Sequence, residues 1–258
     1  MFTLSKTKPS KVNQGAATVG PDEDRYLRRH RHAPSLTIAY KTDRNPNPMH
    51  GLYQNTRFIA GATNLKGMPS DVGREVAFAG RSNAGKSSAL NRICHQKSLA
   101  RTSKTPGRTQ QINFFQVTED RYLVDLPGYG YARVPGGLQR EWGEFIGRYL
   151  ECRRSLAGLI ILMDIRRPLT TLDEQLLQVC VAADIPAHIL LTKADKLSRN
   201  AAMNTLREVK TRLANHAYGS TTAQCFSALR GEGLEDAQAR LDAWLFPENA
   251  ASSRVPLP

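Results

Sequence analysis

The stretch GRSNAGKSS at Gly80–Ser88 constrains the fold of this chain more than any other. It fits the pattern G-x-x-x-x-G-K-[ST] and lies between an apolar run at 76–79 and a segment with helical periodicity at 89–94. Its glycines let the backbone close around a phosphate chain, so that successive N–H groups point inward. The helix that follows presents its positive end to the same anion. The stretch therefore predicts a phosphate-binding loop between a buried strand and a helix.

Two side chains of this loop have specific predicted tasks. Lys86 can reach the β- and γ-phosphates of a nucleotide, and the Ser87 hydroxyl can ligate Mg²⁺. A glycine-containing turn without a ligand is the alternative, but the strand before and the helix after are the context that the motif requires. The predicted nucleotide contacts in the loop are Gly80, Arg81, Ser82, Asn83, Ala84, Gly85, Lys86 and Ser87.

Length and charge limit the classes of protein that this chain can belong to. It has 258 residues, is 40% hydrophobic and carries a net charge of +13. This length is enough for one α/β domain with a buried core and additional tails. The positive charge indicates an acidic partner, most simply nucleic acid, with an anionic membrane as a second candidate. The alternative is that the positive charge only forms a solvated surface and binds no partner.

The cysteines and the apolar runs indicate the compartment. The four cysteines are far apart, without C-x-x-C pairs and in apolar surroundings, so we expect buried, reduced thiols and a cytoplasmic protein. The longest apolar run, Leu156–Met163, has eight residues and ends at Asp164. It predicts a buried parallel strand, because a membrane-spanning helix needs about 20 apolar residues. We therefore expect no transmembrane segment. Among partners we expect nucleic acid rather than a membrane, and we expect the chain to be a monomer.

Composition divides the chain into three predicted parts. Residues 1–50 are basic and rich in proline, so we expect a disordered N-terminal extension. Its cluster Arg28–His32 is either an RNA contact or part of a solubilising tail. Residues 51–247 carry the motifs and predict one nucleotide-binding domain, and residues 248–258 predict a flexible tail.

The periodicity within 51–247 predicts strands that alternate with helices. The predicted strands are 56–60, 75–79, 112–117, 121–125, 156–165, 188–192 and 222–227. The predicted helices are one ending near 96 and those at 138–153, 172–183, 199–215 and 234–245. Thr171 is the predicted N-cap of the helix at 172–183, with Glu174 at capping-box spacing, and 97–111 is predicted to be an exposed loop. This order favours a mostly parallel sheet with helices on both faces.

Four further stretches follow at the spacing that a guanine-nucleotide switch needs. Thr109 lies in the polar loop and can bring its hydroxyl to Mg²⁺ and its N–H to the γ-phosphate. Asp125 ends a predicted strand and can hold Mg²⁺ through water, while the Gly128 N–H can bond the γ-phosphate. Leu126 and Pro127 complete this DLPG motif.

The remaining two stretches predict recognition of the base. In Thr192-Lys193-Ala194-Asp195, the carboxylate can accept from guanine N1–H and N2–H₂, and the lysine stem can lie on the base. Adenine lacks that pair of donors, so this carboxylate selects guanine. In Phe226-Ser227-Ala228, a backbone N–H can meet guanine O6. Each motif ends a predicted strand, at the sheet edge where α/β proteins bind ligands.

Together these motifs identify a resemblance. The chain resembles the EngB (YihA/YsxC) family of bacterial ribosome-assembly GTPases, within the translation-factor-like class, through GRSNAGKSS, SKTPGRTQQINFF, DLPGYGYA, TKAD and FSAL. The resemblance covers residues 55–247, and TPGRTQQINFF followed by DLPGYGYA is specific to it. It implies a P-loop GTPase (Ras-like) three-layer α/β/α fold, with one antiparallel strand in a mostly parallel sheet. It also implies that GTP and GDP are ligands, dependence on Mg²⁺, binding to the large ribosomal subunit or its precursor, and a link to cell division and septation.

The resemblance also assigns residues. It implies that Ser87 and Thr109 hold the magnesium ion, and that Lys86, Thr109 and Gly128 serve hydrolysis. It adds nucleotide contacts at Gly107, Arg108, Thr109, Gln110 and Gln111. Thr192 stands where most GTPases have asparagine, so the resemblance does not carry over the usual bond from that side chain to the phosphate loop, and guanine selectivity rests on Asp195.

The sequence does not identify which residue would promote hydrolysis of GTP. No side chain in the residues after DLPG, Tyr129-Gly130-Tyr131-Ala132, can orient an attacking water. We therefore expect slow hydrolysis by the isolated protein. Asn83 is at the position where some related GTPases bind K⁺, and the alternative is that it stabilises the loop.

Two other functions fit part of the sequence. One is a basic RNA-binding or scaffold protein in which the nucleotide only sets the shape. The other is a kinase or ATPase, against which Asp195 and 226–228 argue. If the ribosome is the partner, the cations predicted to face it are Lys97, Arg101, Lys104, Arg108, Arg133, Arg140, Arg166 and Arg167.

Overall fold

The structure is a computed structural model and describes residues 50–100, 111–130, 146–216, 218 and 220–247. Its strands are β1 (Arg57–Ala62), β2 (Arg74–Gly80), β3 (Ile112–Thr118), β4 (Arg121–Asp125), β5 (Leu156–Asp164), β6 (Ala187–Thr192) and β7 (Thr222–Cys225). Its helices are α1 (His50–Gln54), α2 (Lys86–Ile93), α3 (146–152), α4 (Thr171–Ala182), α5 (Arg199–Asn215) and α6 (Leu234–Leu245). Short 3₁₀ turns lie at Leu65–Gly67 and Ala194–Lys196.

The strands form one sheet in the order β1-β3-β4-β2-β5-β6-β7. β3 runs antiparallel to both of its neighbours, and every other pair is parallel. The predicted fold, with one antiparallel strand, is confirmed. The carboxyl ends of β2, β4, β5 and β6 therefore meet at one edge of the sheet.

Side-chain alternation along the strands builds two apolar layers. Val76 and Phe78 of β2 pack on one face, with side chains of α1, α2 and α6. Ala77 and Ala79 pack on the other face, with side chains of α3, α4 and α5. Because both faces are covered, the central strands read as nearly continuous apolar runs.

Three local predictions are wrong. Helix α2 ends at Ile93 rather than near 96, because His95 has a φ of 52°, which an α-helix cannot continue. Helix α4 begins one residue earlier than predicted, and its N-cap is Thr170 rather than Thr171. The Asp173 carboxylate, not Glu174, accepts the Thr170 N–H at 2.8 Å.

The cysteine prediction holds in part. Cys94 and Cys180 are buried, which raises the pKa of each thiol to about 12. Cys225 is half-buried, whereas Cys152 is exposed at the end of α3. All four thiols are free. Within the described ranges, no helix is both long and apolar enough to span a bilayer.

Candidate functional site

The phosphate loop closes as a tight turn between β2 and α2. The Ala84 N–H donates to the Arg81 carbonyl at 2.9 Å, and Asn83 takes a left-handed φ of 66°. Gly85 precedes the first turn of α2 with a φ of 93°, a conformation that side chains other than glycine rarely adopt. The strand, loop and helix stand in the predicted order, so the first N–H groups of α2 face the sheet edge together with the loop.

The DLPG segment runs beside this loop and is bonded to it through backbone. The Leu126 N–H donates to the Phe78 carbonyl at 3.0 Å. The Ser82 N–H donates to the Tyr129 carbonyl at 2.9 Å. A side chain at Gly128 would have its Cβ 3.4 Å from Ser82 Cα, so glycine suits this approach. The two segments therefore form one continuous surface.

Asp125 and Lys86, predicted for different tasks, contact each other. The Lys86 amine donates to the Asp125 carboxylate, and both side chains are largely shielded from solvent. This pairing satisfies two charges that would be costly to bury alone. It also brings the predicted phosphate ligand next to the carboxylate that is predicted to hold Mg²⁺ through water.

A buried hydrogen bond that sequence reasoning missed anchors the residue after Gly128. The Tyr129 hydroxyl donates to Asp173 Oδ1 at 2.7 Å, at the start of α4. Burial and the neighbouring Asp173 carboxylate raise the pKa of Tyr129 well above its ordinary value. Gly130 follows with a φ of 72°. Tyr129, directly after the DLPG segment, thus anchors that segment to α4.

Thr192 makes the bond to the phosphate loop that the sequence left open. Its hydroxyl lies 2.6 Å from the Ala84 carbonyl and 3.1 Å from the Met163 carbonyl, so the bond to the phosphate loop is made. β6 lies two strands from β2, with β5 between them, and the hydroxyl reaches across that strand end. A threonine therefore makes here the bond that asparagine makes in most GTPases.

Lys193 lies across the phosphate loop. Its ammonium donates to the Asn83 carbonyl at 2.8 Å and lies 3.0 Å from Asp164 Oδ2. Asp164 is held in turn by the Arg166 guanidinium, at 2.9 Å and 2.6 Å. Sequence reasoning missed Asp164, although its place at the end of the longest apolar run was a usable signal.

The TKAD and FSA motifs meet at the next strand ends. The Ser227 hydroxyl donates to Asp195 Oδ1 at 2.6 Å, which lowers the pKa of that carboxyl. The N–H groups of Phe226 and Ser227 donate to the carbonyls of Leu191 and Glu232. Of the three residues 226–228, Ala228 is therefore the one whose N–H can serve guanine O6.

A cleft of about 960 Å³ joins these motifs to the phosphate loop. Its lining includes Gly85, Thr192, Lys193, Asp195 and Ala228. The volume lies within the range of small-molecule sites, about 300–1,000 Å³. The cleft therefore has room for a nucleoside between the phosphate loop and the TKAD and FSA motifs.

The polar loop after α2 is described only at its ends. Gly107, Arg108, Thr109 and Gln110 lie outside the described residues, whereas Gln111 lies inside them, immediately before β3. The predicted exposure of this loop is wrong at Ala100, which is 3% exposed. The Asn91 side chain holds it, accepting from the Ala100 N–H at 2.7 Å and donating to its carbonyl at 3.0 Å.

Comparisons with known proteins agree with this geometry. A family model described as "50S ribosome-binding GTPase" matches residues 75–193. A "Probable GTP-binding protein EngB" from Salmonella paratyphi C is 54% identical over 195 residues, covering 74% of this chain and 91% of that relative. This chain belongs to the EngB family of GTP-binding proteins. The relative of the same name from Vibrio parahaemolyticus is 50% identical over 195 residues, covering 76% of this chain and 89% of its own.

Solved structures support the fold of this EngB family member. The crystal structure of a probable GTP-binding protein engB has a TM-score of 0.55 at 21% identity, covering 66% of this chain and 98% of that one. Era in complex with MgGDPNP and a segment of 16S ribosomal RNA has a TM-score of 0.52 at 21% identity, covering 67% and 57%. At this identity the likeness shows the P-loop GTPase fold alone.

Proposed function

We propose that this chain is a Mg²⁺-dependent GTPase that acts as a switch in assembly of the large ribosomal subunit. The observation that carries the proposal is the convergence of four motifs at one sheet edge, the phosphate loop, DLPG, TKAD and FSA. Membership of the EngB family supports hydrolysis of GTP, and the description of the matching family model, a 50S ribosome-binding GTPase, supports the partner.

The described oxygen donors suit Mg²⁺. Ser87 lies in the first turn of α2, and the Asp125 carboxylate ends β4 beside the Lys86 amine. The described residues hold no group of three histidine, cysteine, aspartate or glutamate side chains that would form a complete protein cage. Mg²⁺ is bound by one or two protein oxygens together with substrate phosphates, and such a site fits these donors. When bound, the ion neutralises charge on the β- and γ-phosphate oxygens.

The protein's own groups would orient the triphosphate. Lys86 would exchange the Asp125 carboxylate for phosphate oxygens, while Gly128 donates its N–H to the γ-phosphate. Thr109 completes this set as a proposal from the family resemblance, for Mg²⁺ and for the γ-phosphate. Asn83 is proposed to hold K⁺ through its side-chain amide, which makes no hydrogen bond within the described part of the chain.

We further propose that rRNA contacts the cations around this edge. Lys97, Arg166 and Arg167 are the described members of the predicted set, and Arg101, Lys104, Arg108, Arg133 and Arg140 lie outside the described residues. If several neutralise phosphates, the logarithm of the binding constant for large subunits falls steeply and linearly with the logarithm of salt concentration. A flat response between roughly 50 and 200 mM salt would point to protein-only contacts.

The nucleotide is proposed to control this binding. Lys104 and Arg108 lie shortly before Thr109 in the sequence. We therefore expect the chain to bind large subunits more tightly with a non-hydrolysable GTP analogue than with GDP. Equal affinity in the two states would contradict the coupling, since a ligand shifts only what it binds differentially. From the family resemblance we also propose a link to septation. The cysteine usage supports the proposal of a cytoplasmic protein, and we propose that it is a monomer.

One assay tests the whole proposal. Multiple-turnover phosphate release is measured with GTP and with ATP, in the presence and absence of ribosomal subunits. We expect slow release with GTP, faster release when large subunits are added, and none above background with ATP. Turnover of ATP would favour a kinase or ATPase, and tight subunit binding without any turnover would favour a scaffold.

A further inference from the structure

The ammonium of Lys193 is fixed at two points. It donates to the Asn83 carbonyl at 2.8 Å and lies 3.0 Å from Asp164 Oδ2. Lys193 also has a left-handed φ of 59°. A residue other than glycine keeps this conformation only where its surroundings hold it, because the Cβ atom crowds the backbone there. Both the backbone and the end of this side chain are thus constrained.

Asp164 is the last residue of β5 and has a second partner. The Arg166 guanidinium donates to both of its carboxylate oxygens, and the Arg166 N–H donates to Oδ1 at 3.1 Å. A two-pronged arrangement of this kind fixes orientation as well as adding binding energy. The bonds from Arg166, followed by those from Lys193, lower the pKa of the Asp164 carboxyl, so it is ionised at neutral pH.

We infer that Asp164 is a positioning residue for guanine-nucleotide binding, which holds the Lys193 side chain against the phosphate loop and is itself oriented by Arg166. A free lysine stem has several rotatable bonds, and the conformational entropy lost when it is ordered opposes binding. With its ammonium held at Asn83 and Asp164, the Lys193 side chain is ordered at the lining of the cleft before the base arrives. That stem is the surface on which the base is predicted to lie.

The contacts also predict which nucleotides depend on Asp164 for their affinity. The network reaches the phosphate loop at Asn83 and includes no contact to Gly128, the residue assigned to the γ-phosphate. Asp164 therefore serves GDP and GTP equally. Its pairs are partly exposed, Arg166 by 51% and Lys193 by 32% of the side chain, so each is worth little to folding stability.

The test compares Asp164→Asn with Asp184→Asn. Asp184 is an exposed aspartate beyond α4, with a left-handed φ of 51° that asparagine tolerates, and it makes no hydrogen bond or ion pair through its side chain among the described residues. We expect Asp164→Asn to raise the Kd of both GDP and GTP by about threefold to fivefold, the size of one exposed ionic contact. KM should rise in parallel at unchanged kcat, and Asp184→Asn should match wild type.

A double-mutant cycle separates positioning from general damage. In a Lys193→Gln background, Asp164→Asn should change the Kd by less than about 1.5-fold, because its partner is already gone. An equal effect in both backgrounds, or a Kd identical to that of Asp184→Asn, overturns the inference. If Asp164→Asn does not fold, Arg166→Gln is tested in its place, because it keeps the Asp164 carboxylate. It should weaken the affinity for GDP and for GTP alike by about twofold. Unchanged affinity would overturn the inference.

Discussion

The phosphate end and the base end of the cleft differ in what a bound nucleotide would change. At the phosphate end, the Lys86 amine contacts the Asp125 carboxylate, and backbone hydrogen bonds join Ser82 to Tyr129. At the base end, the Ser227 hydroxyl holds Asp195, and the Thr192 hydroxyl joins this end to Ala84 of the phosphate loop. In the proposed function, Lys86 exchanges Asp125 for phosphate oxygens when a nucleotide binds, whereas the base-end bonds can stay.

This difference suggests a division of work. The base end is organised in advance, so it should give affinity and selectivity that do not depend on the number of phosphates. The phosphate end has charged groups whose partners change with the ligand, so it should carry hydrolysis and the response to the γ-phosphate. Substitutions at the two ends therefore ought to have different kinetic signatures.

The largest effect is expected at the phosphate end, from Lys86→Ala. Loss of the ammonium removes charge stabilisation of the γ-phosphate, so kcat for GTP hydrolysis should fall by roughly a hundredfold or more. Single-turnover phosphate release measures this. Lys66→Ala, which removes an exposed lysine from a 3₁₀ turn, is the control and should be neutral. A fall of less than about tenfold would contradict the assignment.

The next effect is expected at the base end, from Asp195→Asn. The amide loses the charge-assisted double acceptor for guanine N1–H and N2–H₂, so GTP affinity should weaken by about tenfold or more. GDP should lose as much as GTP, because both carry the same base. Titration with fluorescent nucleotides checks this, and unchanged affinity would remove the assignment of TKAD to guanine recognition.

Thr192→Val tests the bond between the two ends. Valine has nearly the same shape but leaves the Ala84 carbonyl without its donor, so the free energy of unfolding should fall by about 1–3 kcal/mol. Urea denaturation without nucleotide measures it. Thr192→Ser keeps the hydroxyl and should lose only about 1 kcal/mol, from the missing methyl. Wild-type stability of Thr192→Val would show that this bond contributes nothing.

The smallest effect is expected from the cation. If the Asn83 amide holds K⁺ against the phosphates, hydrolysis should be a few-fold faster in KCl than in matched NaCl, as expected for one added cationic contact. The gain should vanish in Asn83→Ala. Equal wild-type rates in the two salts would rule the mechanism out. A gain that survives in Asn83→Ala would move the cation to another site.

Strongly periodic segments with local end signals were predicted well from the sequence. The bounds of α5 and α6 match the predictions residue for residue. The Ser198 side chain caps α5, and Gly233, with a φ of 72°, precedes α6. Helix α4 shows the limit: with two neighbouring threonines available as the cap, periodicity alone placed its start one residue late.

What the sequence determined by itself is local in origin: the phosphate loop, the alternation of strands and helices, and a motif at the end of each strand. Which side chains bind across those strand ends was decided by the tertiary structure. Thr192 and Ala84, or Lys193 and Asn83, are separated by more than a hundred residues. They meet because the strand order brings β6 beside β5 and β5 beside β2, and only that geometry brings a hydroxyl within hydrogen-bonding distance of a carbonyl two strands away.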